Sequence, residues 1–415
     1  MIRPSRLDRQ LLIEGWDQRA LEETAIGVVG DNDLLASLYV MSASALGVNK
    51  VVVLAPVLNT LLVEMAEKLN PRFSLSHLEG FYTHPAMGDI FKGCSLIVDL
   101  SHYGLANKLL LEKGYREKLP VIRGFCYEEH NLQGFKVFTY VRGREWQELE
   151  QIVSPHNLPN THLDDGVLGT IVAGIVLEET KNVLMGQEIS DEIIRYERKK
   201  LEASAVQPNI LVTGTGALGI FVGLGLAYSE FRNITFMDPD IVEVTNLNRQ
   251  VLFYDAIGRS KAETLTERLN SLFNMENKAE ISRFDSDTDI APYDVVFDCV
   301  DNFESRIVLS EKSKDHGKML ISGGTSVDAG QVVIYNPLKS TVTPAELLGL
   351  YDIVEKRSPE IYQRERAACI YQPDPSVIMT NQIAAGFMVD AYRMILDGQE
   401  PGNIFYNSAS KESLR

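Results

Sequence analysis

Short apolar runs alternate with longer stretches of helical period along the chain. Ile26-Gly27-Val28-Val29-Gly30 ends at a glycine, gives way to a helical pattern, and is followed by a second run, Val51-Val52-Val53-Leu54. The same succession restarts at Ile210-Leu211-Val212-Thr213-Gly214 and leads to Ile234-Thr235-Phe236-Met237. Brief runs without polar alternation, separated by a helix, predict buried parallel strands in strand–helix–strand units. A third pair of runs, Leu96-Ile97-Val98-Asp99 and Val295-Val296-Phe297-Asp298, fits the same frame.

The two halves also end alike. IVAGIVLEETKNVLMGQE from Ile171 matches IAAGFMVDAYRMILDGQE from Ile383. Gly174 falls on Gly386, Glu178 on Asp390, and Gly186-Gln187-Glu188 on Gly398-Gln399-Glu400, each pair 212 positions apart. Both segments read as helices closed by a glycine. A period of this length means two similar domains, not a solenoid. We expect a first α/β domain over residues 1–187, a charged linker helix over 188–207, and a second α/β domain over 208–415.

Composition narrows the class. The 415 residues carry 40 Lys and Arg against 57 Asp and Glu, a formal charge of −17, and 45% are apolar. That apolar share supports a folded chain. The acidic balance argues against a nucleic-acid partner, because binding a phosphate backbone needs clustered cations. No run is long and apolar enough to span a membrane, and no apolar segment follows MIRPSRLDRQ as in a secretory signal. The four cysteines, Cys94, Cys126, Cys299 and Cys369, are scattered with no C-x-x-C spacing. We therefore expect reduced thiols, a cytoplasmic location and no zinc.

Candidate chemistry is concentrated in the second half. Gly214-Thr215-Gly216-Ala217-Leu218-Gly219 is G-x-G-x-x-G between a strand and a helix. The first glycine makes the tight turn, the second admits phosphate, and the third lets helix and strand pack closely. The helix N-terminus adds free N–H groups and a positive dipole end. Asp238 lies 19 residues after Gly219, where a ribose-binding carboxylate belongs, and Asp240 is close enough to share that role. A nicotinamide dehydrogenase is the generic expectation for such a motif. The following Asn246, Arg249, Gln250 and Lys261 fit a triphosphate better, because cations offset the charge that moves when pyrophosphate leaves. Asp298-Cys299-Val300-Asp301-Asn302 ends a buried run, which places Asp301 to hold Mg²⁺ against phosphate oxygens.

GTGALG, DPDIVEVTNLNRQVLFYDAIGRSKAE and DCVDNFESR together resemble the ubiquitin-activating-enzyme-like adenylyltransferase superfamily. It includes the ThiF- and MoeB-type enzymes that activate sulfur-carrier proteins and the microcin-type enzymes that act on peptides. The resemblance is close from about 210 to 337 and in the last helix. It implies two fused Rossmann-like ThiF-type α/β domains forming an intramolecular pseudo-dimer, with ATP and Mg²⁺ held by the second. It also implies that Gly214, Gly216 and Gly219 cradle the phosphates and Asp238 the ribose, with Asp240 near. Asn246, Arg249, Gln250 and Lys261 would grip the phosphates, and Asp301 the metal. Asn302 and Arg306 match the motif without an assigned role. The reaction implied is attack of a peptide or protein carboxylate on the α-phosphorus of ATP.

The first half keeps the frame without these groups. Gly30 is followed by Asp31-Asn32-Asp33, so two acids replace the phosphate glycines, and Leu54-Ala55-Pro56 supplies no ribose acid. Aligning Asp99 with Asp298 sets His102 opposite Asp301. We expect a degenerate copy. Its Arg6-Leu7-Asp8-Arg9-Gln10 resembles the family's N-terminal helix, whose arginine reaches the ATP of a partner subunit. Arg9 would then be a catalytic arginine supplied within one chain.

The stretch 338–382 corresponds to the family's crossover segment over the active site, and holds Cys369. A thioester role for Cys369 would need an activated thiolate, and no neighbouring His supports one. A strand over 134–141, near His130, offers either an ordinary sheet position or an edge for peptide β-addition. The expected substrate is the carboxylate of a ribosomal precursor peptide in natural-product maturation, or else the C-terminus of a small carrier protein. A nucleotide-binding scaffold without turnover is the reading from another class. Association of two chains into a homodimer stays open.

Overall fold

The computed structural model describes residues 4–31, 33–146, 149, 162–202, 206–356 and 374–408. The chain divides into two compact units, one of Met1–Glu14 with Ala203–Phe405, the other of Gly15–Glu202 with Tyr406–Arg415. The first fourteen residues therefore group with the second half of the sequence.

The Gly15–Glu202 unit holds a seven-stranded sheet in the order β3-β2-β1-β4-β5-β6-β7. Its strands are β1 (Ala25–Val29), β2 (Lys50–Leu54), β3 (Ser74–Leu78), β4 (Leu96–Asp99), β5 (Val121–Glu129), β6 (Leu132–Tyr140) and β7 (Ile194–Lys199). Strands β1 to β5 pair in parallel, while β6 and β7 add antiparallel. Every residue of β1 and β4 is buried, as their unbroken apolar runs require. The helices Leu35–Leu46 and Gly166–Met185 pack together beside this sheet.

The second sheet repeats that order as β10-β9-β8-β11-β12-β13-β14. Its strands are β8 (Asn209–Thr213), β9 (Asn233–Met237), β10 (Lys278–Glu280), β11 (Val295–Asp298), β12 (Met319–Thr325), β13 (Ala329–Tyr335) and β14 (Ile404–Asn407). Helix Ala217–Tyr228 packs on helix Ile378–Leu396 as its counterparts do in the first half. In each sheet the chain leaves the first strand and returns on the opposite side of it. The crevice between β1 and β4, or between β8 and β11, is thus the topological switch point where ligands bind in open α/β sheets.

One sequence expectation is corrected and one open alternative is decided. The linker helix over 188–207 contains a strand instead: Ile194–Lys199 pairs with β6 along six residue pairs. Its charges are tolerated because Tyr196 stacks on Phe135 at 5.6 Å and buried Arg198 reaches Asp165 at 3.3 Å, while most other positions face solvent. Strand β6 is consequently paired on both sides and presents no free edge for a peptide. Among the described residues, no helix is long and apolar enough to cross a membrane.

Candidate functional site

The glycine turn after β8 is shaped by three different demands. Gly214 has φ +83°, the left-handed region that glycine adopts without strain, and a Cβ there would lie 2.6 Å from the Cys299 carbonyl oxygen. A Cβ on Gly219 would lie 2.0 Å from the Gly214 carbonyl oxygen, so helix and turn approach too closely for any side chain. Gly216 is different: the nearest atom to its Cβ position is Gln250 Nε2 at 3.7 Å. The protein's own packing does not require glycine there. Gly216 also caps helix Ala217–Tyr228 without a side-chain hydrogen bond, which leaves the first-turn amides open. Thr215 Oγ1 and Gln250 Oε1 are buried with no hydrogen-bond partner among the described residues. An open glycine, an uncapped helix end and two orphaned polar atoms fit an anionic ligand such as a nucleotide phosphate.

Asp238, just past β9, braces this turn. Its Oδ2 accepts from the Thr215 N–H at 2.6 Å and its Oδ1 from the Asp240 N–H at 2.8 Å. Burial pushes its carboxyl above the usual range, opposed by the Lys261 ammonium. Lys261 opens helix Lys261–Phe273 and donates from Nζ to Asp240 Oδ2 at 2.9 Å. Asn246 shapes the backbone: its Oδ1 accepts from the Glu243 N–H at 2.9 Å in a reciprocal capping box.

Arg249 is 8% exposed and donates to the Thr245 carbonyl at 2.9 Å and to Asn248 Oδ1 at 2.7 Å. Burial, with the Arg9 guanidinium as the next cause, pulls its pKa down to about 10. Arg9 lies in the short helix Asp8–Leu11 and donates from Nη1 to the Asp374 carbonyl at 3.1 Å. The neighbouring Gln10 is fully buried, and its Oε1 accepts from Asn248 Nδ2 at 3.0 Å; the same amide donates to the Ser376 carbonyl at 3.1 Å. The amino-terminal helix is thereby tied to the segment that carries Arg249. Gln10 and Asn248 had no role in the sequence reading. Their signal was adjacency to Arg9 and Arg249 within two motif runs.

Asp301 is exposed in the turn between β11 and helix Phe303–Asp315. Asn302 caps that helix by accepting from the Ser305 N–H at 2.8 Å. Arg306 is structural: it donates to the Val300 and Gly323 carbonyls, both at 2.6 Å, and stands 3.6 Å from Asp298. It fastens the ends of β11 and β12. Cys299 is buried, which pushes its thiol well above the usual range. Cys369 lies outside the described residues, as does 357–373 of the crossover segment.

A MOCS3 adenylyltransferase and sulfurtransferase from Anopheles gambiae is 33% identical over 160 residues, covering 35% of this chain and 36% of that protein. A molybdopterin-synthase adenylyltransferase from Haemophilus influenzae is 33% identical over 159 residues, covering 37% of this chain and 64% of that protein. The chain thus spans about a third of the first relative and under two thirds of the second. The crystal structure of E. coli MccB with succinimide aligns with a TM-score of 0.40 at 19% identity, over 50% of this chain and 61% of that one. The ThiF family profile matches residues 186–412, more than half of the sequence, and the chain belongs to the ThiF family.

Proposed function

We propose that the second half binds ATP and catalyses adenylation of a carboxylate on a peptide or small protein. One carboxylate oxygen attacks the α-phosphorus, the bond to the β-phosphate oxygen breaks, and an acyl-adenylate and pyrophosphate result. The observation that carries this reading is the pair Arg9 and Arg249. Burial first and the neighbouring Arg9 guanidinium second hold the Arg249 pKa down, and an anion would relieve both the burial of the charge and the repulsion. Gly214, Gly216, Gly219 and Gln250 would take the phosphates, Asp238 and Asp240 the ribose side, and Lys261 and Asn246 the loop over them. Asp301 would hold Mg²⁺, which when bound offsets phosphate charge. No protein nucleophile is needed, because positioning and charge stabilisation suffice for such a step.

The two halves act, in this proposal, as a fused pair in which only the second turns over. The acceptor is a ribosomal precursor peptide or, on a second reading favoured by relatives named for sulfur transfer and molybdopterin synthase, a small carrier protein. ATP–pyrophosphate exchange with the full chain, Mg²⁺ and each candidate carboxylate tests both readings. Exchange that depends on the added carboxylate supports adenylation and identifies the acceptor. ATP binding without exchange for any acceptor would leave a nucleotide-binding scaffold and overturn the enzyme reading.

A further inference from the structure

The first half carries a different set of groups at the strand edge that corresponds to the glycine turn. Gly30 follows β1 as Gly214 follows β8, which sets Asp31 opposite Thr215. Asp99 ends β4 as Asp298 ends β11, which sets His102 opposite Asp301. The offset of 212 positions between the last helices sets His162 opposite Asp374. Asp31, His102 and His162 each bring one ligand atom within 4.8 Å of the others.

The carboxylates there are poorly compensated. Asp31 is 1% exposed; its Oδ2 accepts the His102 main-chain N–H at 2.7 Å and touches His102 Nδ1. Its Oδ1 is buried with no hydrogen bond, although the Tyr103 phenol faces it. The imidazoles of His102 and His162 stack with centroids 4.2 Å apart. His162 Nε2 lies 3.1 Å from Asp33 Oδ2, and His162 Nδ1 is buried with no hydrogen-bond partner among the described residues. Among the described residues, the ion pairs of Asp31 and Asp33 are with these histidines alone. The second half turns open amides and cations toward an anion; this edge turns buried carboxylates and imidazole nitrogens toward a cation. Burying a carboxylate without a full counter-charge is costly.

We propose that Asp31, His102 and His162 bind a divalent transition-metal cation of the zinc class, with Asp33 as an additional oxygen donor. Two imidazoles and a carboxylate suit Zn²⁺ with one coordination position left open, whereas Mg²⁺ prefers an all-oxygen shell. The expectation of no zinc came from cysteine spacing alone, and this donor set uses no thiol. The cation joins the loops after β1 and β4 to the segment before helix Gly166–Met185.

The test uses the full chain, stripped with a chelator and titrated with Zn²⁺ alone, reading metal content and Tm. The expected result is one Zn²⁺ per chain with a raised Tm, unchanged in His130→Ala and lost in His102→Ala, His162→Ala and their double variant. Retention of the Mg-ATP-induced Tm shift in those variants shows that the nucleotide half remains folded. Co²⁺ in the wild type provides a second reading that needs no variant: visible d–d bands without thiolate charge transfer are expected. No zinc in the wild type, full stoichiometry in the double variant, or a thiolate band with Co²⁺ would each overturn the proposal.

Discussion

At Arg249 the site's electrostatics meet its sequence motif. In the proposed reaction, a guanidinium held by a carbonyl and an amide, with no carboxylate hydrogen-bonded to it in those contacts and a second arginine beside it, would receive the incoming anion. Arg9→Ala should lower pyrophosphate exchange on the order of a thousandfold, the scale of a transition-state arginine. The fold should survive, because Gln10, not Arg9, fills the buried position. Wild-type exchange in Arg9→Ala would remove the fused-pair model. Asp301→Ala, at an exposed turn, should abolish exchange at any Mg²⁺ concentration without moving Tm in the absence of nucleotide. The glycines, Asp238, Lys261 and Asp301 stand out in the sequence as candidates because phosphate, ribose and metal would each demand a residue type at a set spacing. Gln10 and Asn248 do not, since their hydrogen bond joins residues 238 positions apart.

Among elements, the turn into helix Ala217–Tyr228 separates folding demands from binding demands. Gly219→Ala drives a methyl into a backbone oxygen 2.0 Å away and should destabilise the chain by roughly 1–3 kcal/mol or more. Gly216→Ala meets nothing closer than 3.7 Å, so its Tm without ligand should hold while its affinity for Mg-ATP falls. Thermal melts of both variants with and without nucleotide check the contrast. Strand β7 escaped the sequence reading because Arg195, Glu197, Arg198 and Lys199 mask its alternation, as charges on an outer strand can. Helix Gly166–Met185 was legible from its repeat, yet it carries a buried acid, Glu179, whose pKa burial pushes up to about 7 from 4.5. The folded state then holds a proton that the unfolded chain has lost between about pH 4.5 and 7, so stability falls as pH rises through that window. Glu179→Gln should match the wild type near pH 5 and exceed it at pH 8 by up to about 3 kcal/mol. Denaturant midpoints at the two pH values measure the difference, and an equal or larger deficit at pH 8 would contradict the assignment.

Across the whole molecule, one sheet order is written twice, and the core strands are interchangeable in kind while the loops at their carboxyl ends are not. The repeat was readable because buried parallel strands leave continuous apolar runs. The grouping of Met1–Glu14 with the second half was legible only through the resemblance carried by Arg6-Leu7-Asp8-Arg9-Gln10, because nothing local in fourteen residues states which core they join. Hydrogen exchange with a non-hydrolysable Mg-ATP analogue should protect 214–219, 245–261 and the helix Asp8–Leu11, and leave the loops after β1 and β4 unchanged. Protection at Gly30–Asp33 instead would mean that the first half is the nucleotide-binding one. Asp31 and Thr215 stand at matching turns of matching sheets, so the proposed ligands would consume little of either scaffold. Duplication of such a scaffold frees one copy's rim from ancestral duty, and a handful of substitutions there can reverse the sign of what it welcomes while the interior passes down unaltered.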